Sequence, residues 1–174
     1  MIKILGIKII DRIKEAGLTQ SILSKHSSVI TTRLGFHEVT DAVCSREAYI
    51  ILHLNDDRSE SGRLIEELKS VGGIEVREID FASAEKNSGR TVESTGTEIL
   101  CLLMERNPQT ILSVQKILTS FGCNIRTRLG VNESFFGQPA GLIILELAGD
   151  NDQRLLLEKN LQALDKVHVR AITF

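Results

Sequence analysis

The chain has no tryptophan, one tyrosine, six phenylalanines, two prolines and three cysteines in 174 residues. So few aromatic rings leave little on which bases could stack. The charges also balance: 21 Lys and Arg stand against 23 Asp and Glu, a net charge of −2. No positive field draws a phosphate backbone, and nucleic acid is not an expected partner. Cys44, Cys101 and Cys123 lie at long, irregular spacing and form neither an even disulfide set nor a C-x-x-C pair, which fits a reducing compartment. No stretch approaches the about 18 apolar residues of a membrane span. The opening run from Met1 to Ile10 carries Lys3 and Lys8 and soon meets Asp11 and Arg12, unlike the core of a signal peptide. The expected location is therefore the cytoplasm, with no membrane partner.

What the sequence does have is ordinary globular usage, 42% hydrophobic and 25% charged, together with an internal repeat. Ile4 to Phe36 aligns without a gap on Ile99 to Val131, matching Ile4, Leu5, Gln20, Ile22, Leu23 and Ile30 with their counterparts. The segment Thr32-Arg33-Leu34-Gly35-Phe36-His37-Glu38 recurs as Thr127-Arg128-Leu129-Gly130-Val131-Asn132-Glu133. After a two-residue length difference the match resumes, with Ile50-Ile51-Leu52 on Ile143-Ile144-Leu145 and Val76-Arg77 on Val169-Arg170. The repeat predicts one domain over residues 1–81, a polar linker over 82–96 and a second copy of the domain over 97–174.

Each copy carries the same order of signals. Ile2 to Ile10 and Glu98 to Met104 are apolar runs suited to central strands. Helices follow, the second announced by Asn107 as cap and Pro108 in the first turn, the first interrupted by Gly17. Val29 to Gly35 and Asn124 to Gly130 read as strands ended by glycine, and Ala48 to Leu54 and Gly141 to Leu147 as third strands. A helix and an alternating strand close each unit. The order β-α-β-β-α-β predicts an α+β fold, two tandem ferredoxin-like units with antiparallel sheets. The central strands do not alternate: Ile50, Leu52 and Leu54 face one way and Tyr49 and Ile51 the other. Both faces are therefore expected to be buried, the helix-free one by the sister domain or by another chain, so a homo-oligomer or a partner protein is expected.

Glu105-Arg106-Asn107-Pro108-Gln109, followed by Phe121-Gly122-Cys123-Asn124-Ile125, resembles the ACT domain, whose first loop reads D-R-P-G before a helix ending in G-x-N-I. Gln109 stands where that pattern has glycine, and the first copy keeps only Asp11-Arg12. The T-R-L-G segments and the I-I-L-x-L strands resemble a narrower group, the ACT-like regulators of the iron-only hydrogenase system. The resemblance implies a tandem ACT-like fold and a ligand-sensing or regulatory module, and it places Arg106 and Asn107 among the candidate ligand contacts.

Arg33 and Arg128 recur at one place in the repeat, on the strand face opposite Ile30 and Leu34. Such a pair could hold a carboxylate or phosphate through its planar forks. The competing explanation is an ion pair to Glu38 and Glu133, five residues on in each copy. His37, Glu38, Asp41 and Cys44 mix imidazole, carboxylate and thiol donors within eight residues, a candidate metal loop in the first copy, with His53 as a more distant ligand. A polar hairpin loop explains the same residues without a metal. His26 reads as a charge at a helix C-terminus and His168 as a surface residue. No phosphate-binding glycine loop and no nucleophile motif occurs.

These features predict a non-enzymatic regulatory or sensing module that binds a small effector, an amino acid or related anion, at a domain or subunit interface. The alternatives are a metal sensor or carrier using His37 and Cys44, and an assembly subunit without a ligand. No cofactor is indicated by the sequence.

Overall fold

A computed structural model describes residues 2–37, 45–82, 96–135 and 137–174 of the chain, which divides into two compact units, Met1–Ala82 and Ser83–Phe174. Most of the expected linker, residues 83–95, lies outside the described residues.

The first unit runs β1 (Lys3–Ile9), α1 (Arg12–Lys25), β2 (Ile30–Phe36), β3 (Ala48–Leu54), α2 (Arg58–Lys69) and β4 (Ile74–Asp80). The second runs β5 (Glu98–Glu105), α3 (Pro108–Ser120), β6 (Ile125–Phe135), β7 (Gln138–Leu147), α4 (Asn151–Gln162) and β8 (Val167–Thr173). The sheets have the orders β2-β3-β1-β4 and β6-β7-β5-β8, antiparallel throughout. This is the expected ferredoxin-like arrangement, made twice.

Local chemistry starts all four helices in the same way. Asp11 accepts from the Ile13 and Lys14 amides, Asp57 from Glu60, Asn107 from Thr110 and Asp150 from Gln153, so each N-cap satisfies an orphan donor of the first turn. Helix α1 passes through Gly17 without a break, because Gly17 is exposed and the cap, Glu15 in the first turn and Lys25 in the last hold the ends. The turn into β4 needs a left-handed residue, supplied by Gly73 at φ 85°. Its counterpart before β8 is Lys166 at φ 63°.

The helices pack on one face of each sheet. In the first unit Leu5, Ile7, Ile9, Leu52, Leu64 and Leu68 share one core; in the second, Leu100, Leu102, Val114, Leu145, Leu157 and Leu161 do. Each such side chain, fully buried, stabilises by roughly 1.5–3 kcal/mol. The other face is closed to water as well: Ile4 and Ile51 are 0% and 1% exposed, and Ile99 and Cys101 are both 0% exposed. That matches the lack of alternation in the central strands.

Two departures from the sequence reading matter for the site. Strand β6 does not stop at Gly130 but continues to Phe135, paired with β7 from Gln138, so the second unit carries a longer hairpin than expected. In addition, a β-bulge interrupts the pairing between Ile30 and Thr32, and another between Ile125 and Thr127. The extra residue changes the parity of each strand. Ile30 pairs with Leu54 and Arg33 with Leu52, so both face the helices and only Leu34 faces away. The expectation that Arg33 lies opposite Ile30 is corrected by that bulge.

Candidate functional site: a basic cleft in the first unit

Arg33 reaches helix α1, where its Nη1 donates to Gln20 Oε1 at 2.8 Å. In the second unit Arg128 Nη1 donates to Gln115 Oε1 at 3.1 Å. Gln20 and Gln115 are themselves matched positions of the repeat, so one arginine–glutamine bridge from strand to helix was made twice.

Beside the first bridge lies a cleft of about 420 Å³, open along one side. Its helix wall is Arg12, Ala16, Thr19 and Gln20, positions that recur on one face of α1. The strand wall is Arg33 and Gly35, two residues apart on the helix side of β2, then His37 past the strand end. Ile9, Phe36, Ala48 and Ile50 contribute apolar surface. Ala16 and Gly35 leave the middle open: a Cβ built at Gly35 would meet nothing nearer than 3.9 Å.

The cleft is basic. Arg12 Nε donates to the Ser45 carbonyl at 2.9 Å, which fixes the guanidinium and leaves its terminal nitrogens without a partner among the described residues. None of the described lining residues is acidic. Among the described residues the neighbouring carboxylates are engaged elsewhere: Asp11 caps α1 and pairs with Arg46 at 3.1 Å, and Glu47 pairs with Lys8 at 3.3 Å and accepts from the Tyr49 hydroxyl at 3.2 Å. An anion entering here finds guanidinium groups and an imidazole in a partly apolar setting, where each charge-assisted bond is stronger than in water.

The second unit keeps the bridge and loses the cleft chemistry. Asn107 stands at the position of Arg12, Ile111 at Ala16, Val114 at Thr19 and Asn132 at His37. A cavity of about 300 Å³ in that unit lies elsewhere, between Met104, Phe135, Pro139 and His168, with Glu105 as its charged wall.

The residues singled out from sequence fare differently. Glu38, Asp41 and Cys44 lie outside the described residues. Glu133 cannot pair with Arg128 as the competing explanation required: the two are five residues apart, about 16 Å along β6, on opposite faces of the sheet. Asn107 Oδ1 is spent on the helix cap, at 3.0 Å from the Thr110 amide. Arg106 is exposed, with its amide on the Pro139 carbonyl at 3.2 Å, at the far end of the hairpin from Arg128. Arg106, Asn107, Arg128 and Glu133 therefore do not converge. For a metal, no group of three His, Cys, Asp or Glu that could hold an ion occurs among the described residues. His53 does not join His37: it pairs with Ile4 and Thr32, and His37 lies five residues, about 16 Å, beyond Thr32.

Sequence reading missed Arg12, Gln20 and the pair of small residues, although the differences between the two copies at these positions were there to be read. It placed His26 at a helix C-terminus, where it does cap α1, but missed that the side chain is buried, at 2% exposure. His26 Nδ1 lies 2.6 Å from Glu60 Oε1 and Nε2 2.5 Å from Glu67 Oε2. The hydrogen bond from Lys25 and that from His26 hold the Glu67 carboxyl below the ordinary carboxylate range. This clamp ties α1 to α2 on the flank away from the cleft.

No protein-family model and no curated protein matches the chain. Solved structures similar to it include an uncharacterized protein from Thermotoga maritima, at 24% identity and TM-score 0.40, covering 45% of this chain and 96% of that one. The small subunit of acetolactate synthase from Thermotoga maritima is similar over 100% of this chain and 98% of its own, at 9% identity and TM-score 0.38. The regulatory subunit of aspartate kinase from Thermus flavus is similar over 93% and 92%, at 13% identity and TM-score 0.35. At these identities and scores they carry no argument about function. The class of the chain, a tandem of two ferredoxin-like units, rests on its own strand orders and connections.

Proposed function

We propose that the chain is a non-enzymatic regulatory or sensing module whose first unit binds a small anionic effector. The observation that supports this is the cleft between α1 and β2, lined by Arg12, Arg33 and His37 and, among the described residues, by no acidic side chain. The resemblance of the Arg106–Asn107–Pro108 loop to ACT domains, and of the T-R-L-G segments to hydrogenase-system regulators, points to the same class. The site differs from the one expected from sequence in lying within one unit. The second unit, with Asn107 and Asn132 at the matching positions, keeps the fold and serves as the partner element. Regulation requires that the effector bind one state of the protein better than another, and it can shift the balance by no more than that difference.

A thermal-shift screen of amino acids, organic acids, nucleotides and divalent metals tests the proposal. A ligand at 100 times its Kd stabilises by about 2.7 kcal/mol, which at about 2–4 °C per kcal/mol raises Tm by about 5–11 °C. The expected result is a shift with an anion, lost in Arg33→Ala and kept in Arg128→Ala. A shift with a divalent metal, lost in His37→Ala and kept in Arg33→Ala, would favour the metal sensor instead. No shift with any ligand would leave the assembly subunit.

A further inference from the structure

We propose that the ligand of this cleft is a small dicarboxylate without an amino group. The inference rests on the effector reading above and narrows it. Arg12 and Gln20, which anchors Arg33, lie eight residues apart on α1, about 12 Å along the axis. The two guanidinium groups are thus held by different anchors, Arg12 by the Ser45 carbonyl and Arg33 by Gln20, rather than at one point. A compact dianion such as phosphate would sit on one of them and leave the other unused. Two carboxylates joined by a short carbon chain engage both, each through charge-assisted bonds of about 2.8 Å. The chain between them passes the open centre at Ala16 and Gly35, against Ile50.

The same lining argues against an amino acid. An ammonium group brings three donors that need acceptors. Among the described residues the cleft has no carboxylate, and the Gln20 oxygen already accepts from Arg33. A cation placed between Arg12 and Arg33 would be repelled by both.

Isothermal titration of the full chain with succinate, glutarate, butyrate, aspartate, glutamate and inorganic phosphate tests this. Succinate or glutarate should bind at least about tenfold more tightly than each of the others, a difference of about 1.4 kcal/mol. Arg12→Gln and Arg33→Gln should each weaken that binding at least about tenfold, and Arg128→Gln should leave it unchanged. Each variant's ligand-free Tm separates lost binding from lost folding, and Arg33→Lys, which keeps the charge without the fork, should fall between. If aspartate, glutamate, butyrate or phosphate binds as tightly in an Arg33-dependent way, this inference fails while the effector reading stands. If no anion binds in an Arg33-dependent way, both fail.

Discussion

Filling the cleft with the side chain of the second copy is the sharpest use of the repeat. Ala16→Ile places at the centre of the helix wall the residue found at Ile111. It adds three carbons to a space of about 420 Å³, facing Gly35 and Ile50. Folding should barely notice. Ala16 is exposed, the loss of helix propensity is below about 0.7 kcal/mol, and burial of the new carbons at about 0.8 kcal/mol each offsets it. The stability change should stay within about 1–2 kcal/mol. Binding should suffer far more, because a ligand must then overpack the site or force the isoleucine off its rotamer, at about 1–3 kcal/mol. That is a loss of about 5- to 150-fold in Kd. The assay is calorimetric titration of the anion that gives the largest thermal shift, alongside denaturant unfolding. Unchanged affinity with intact folding would show that the ligand binds elsewhere, and the argument from the lining residues would be wrong.

Gly73→Ala should destabilise by about 1–2 kcal/mol, since the left-handed backbone at φ 85° penalises any Cβ while the nearest atom, Glu15 Cγ at 3.5 Å, is an ordinary contact. Lys166→Gly, the matching change in the second unit, should be near neutral in thermal melts, because relief at φ 63° is offset by unfolded-state entropy and by the loss of the exposed 2.9 Å pair to Glu105. A destabilised Lys166→Gly of more than about 2 kcal/mol would contradict this. In a Cys44→Ser background, a thiol reagent should label Cys123 at once and Cys101 only on unfolding. The Cys101 thiol is fully buried and burial pushes its pKa up to about 12; labelling of Cys101 in the native state would refute its burial. The Glu67 carboxyl, held down by Lys25 and His26 from its ordinary value of 4.5, contributes stability that is complete above pH 4.5 and lost as pH falls through the lowered value. Glu67→Gln should therefore flatten the acid limb of stability against pH, and an unchanged limb would show that the clamp contributes nothing there.

Much of the fold was legible because the repeat forces one explanation on both halves. The apolar runs at Ile2 to Ile10 and Glu98 to Met104, the T-R-L-G segments and the alternating closing strands read the same way twice, and the strand orders agree. The side-chain directions on β2 and β6 were not legible. A single extra residue at each bulge reverses them, and no local residue type announces it. The cleft was half legible. Arg33 stood out as a charged residue in a recurring motif and His37 as a candidate metal ligand, whereas the residues that make room for a ligand are Ala16 and Gly35, which carry no chemical signal of their own. Their meaning appears only against Ile111 and the register of β2. The His26 clamp was hidden for another reason: its partners Glu60 and Glu67 come from a helix 34 and 41 residues away.

The central claim is that the first unit holds the effector site, and amide chemical-shift mapping during a succinate titration tests it most directly. Saturating shifts at Arg12, Ala16, Gln20, Arg33, Gly35 and His37, with Asn107, Ile111, Gln115 and Arg128 unmoved, are what the cleft requires. Shifts gathered around Arg128, or at none of these residues, would contradict it.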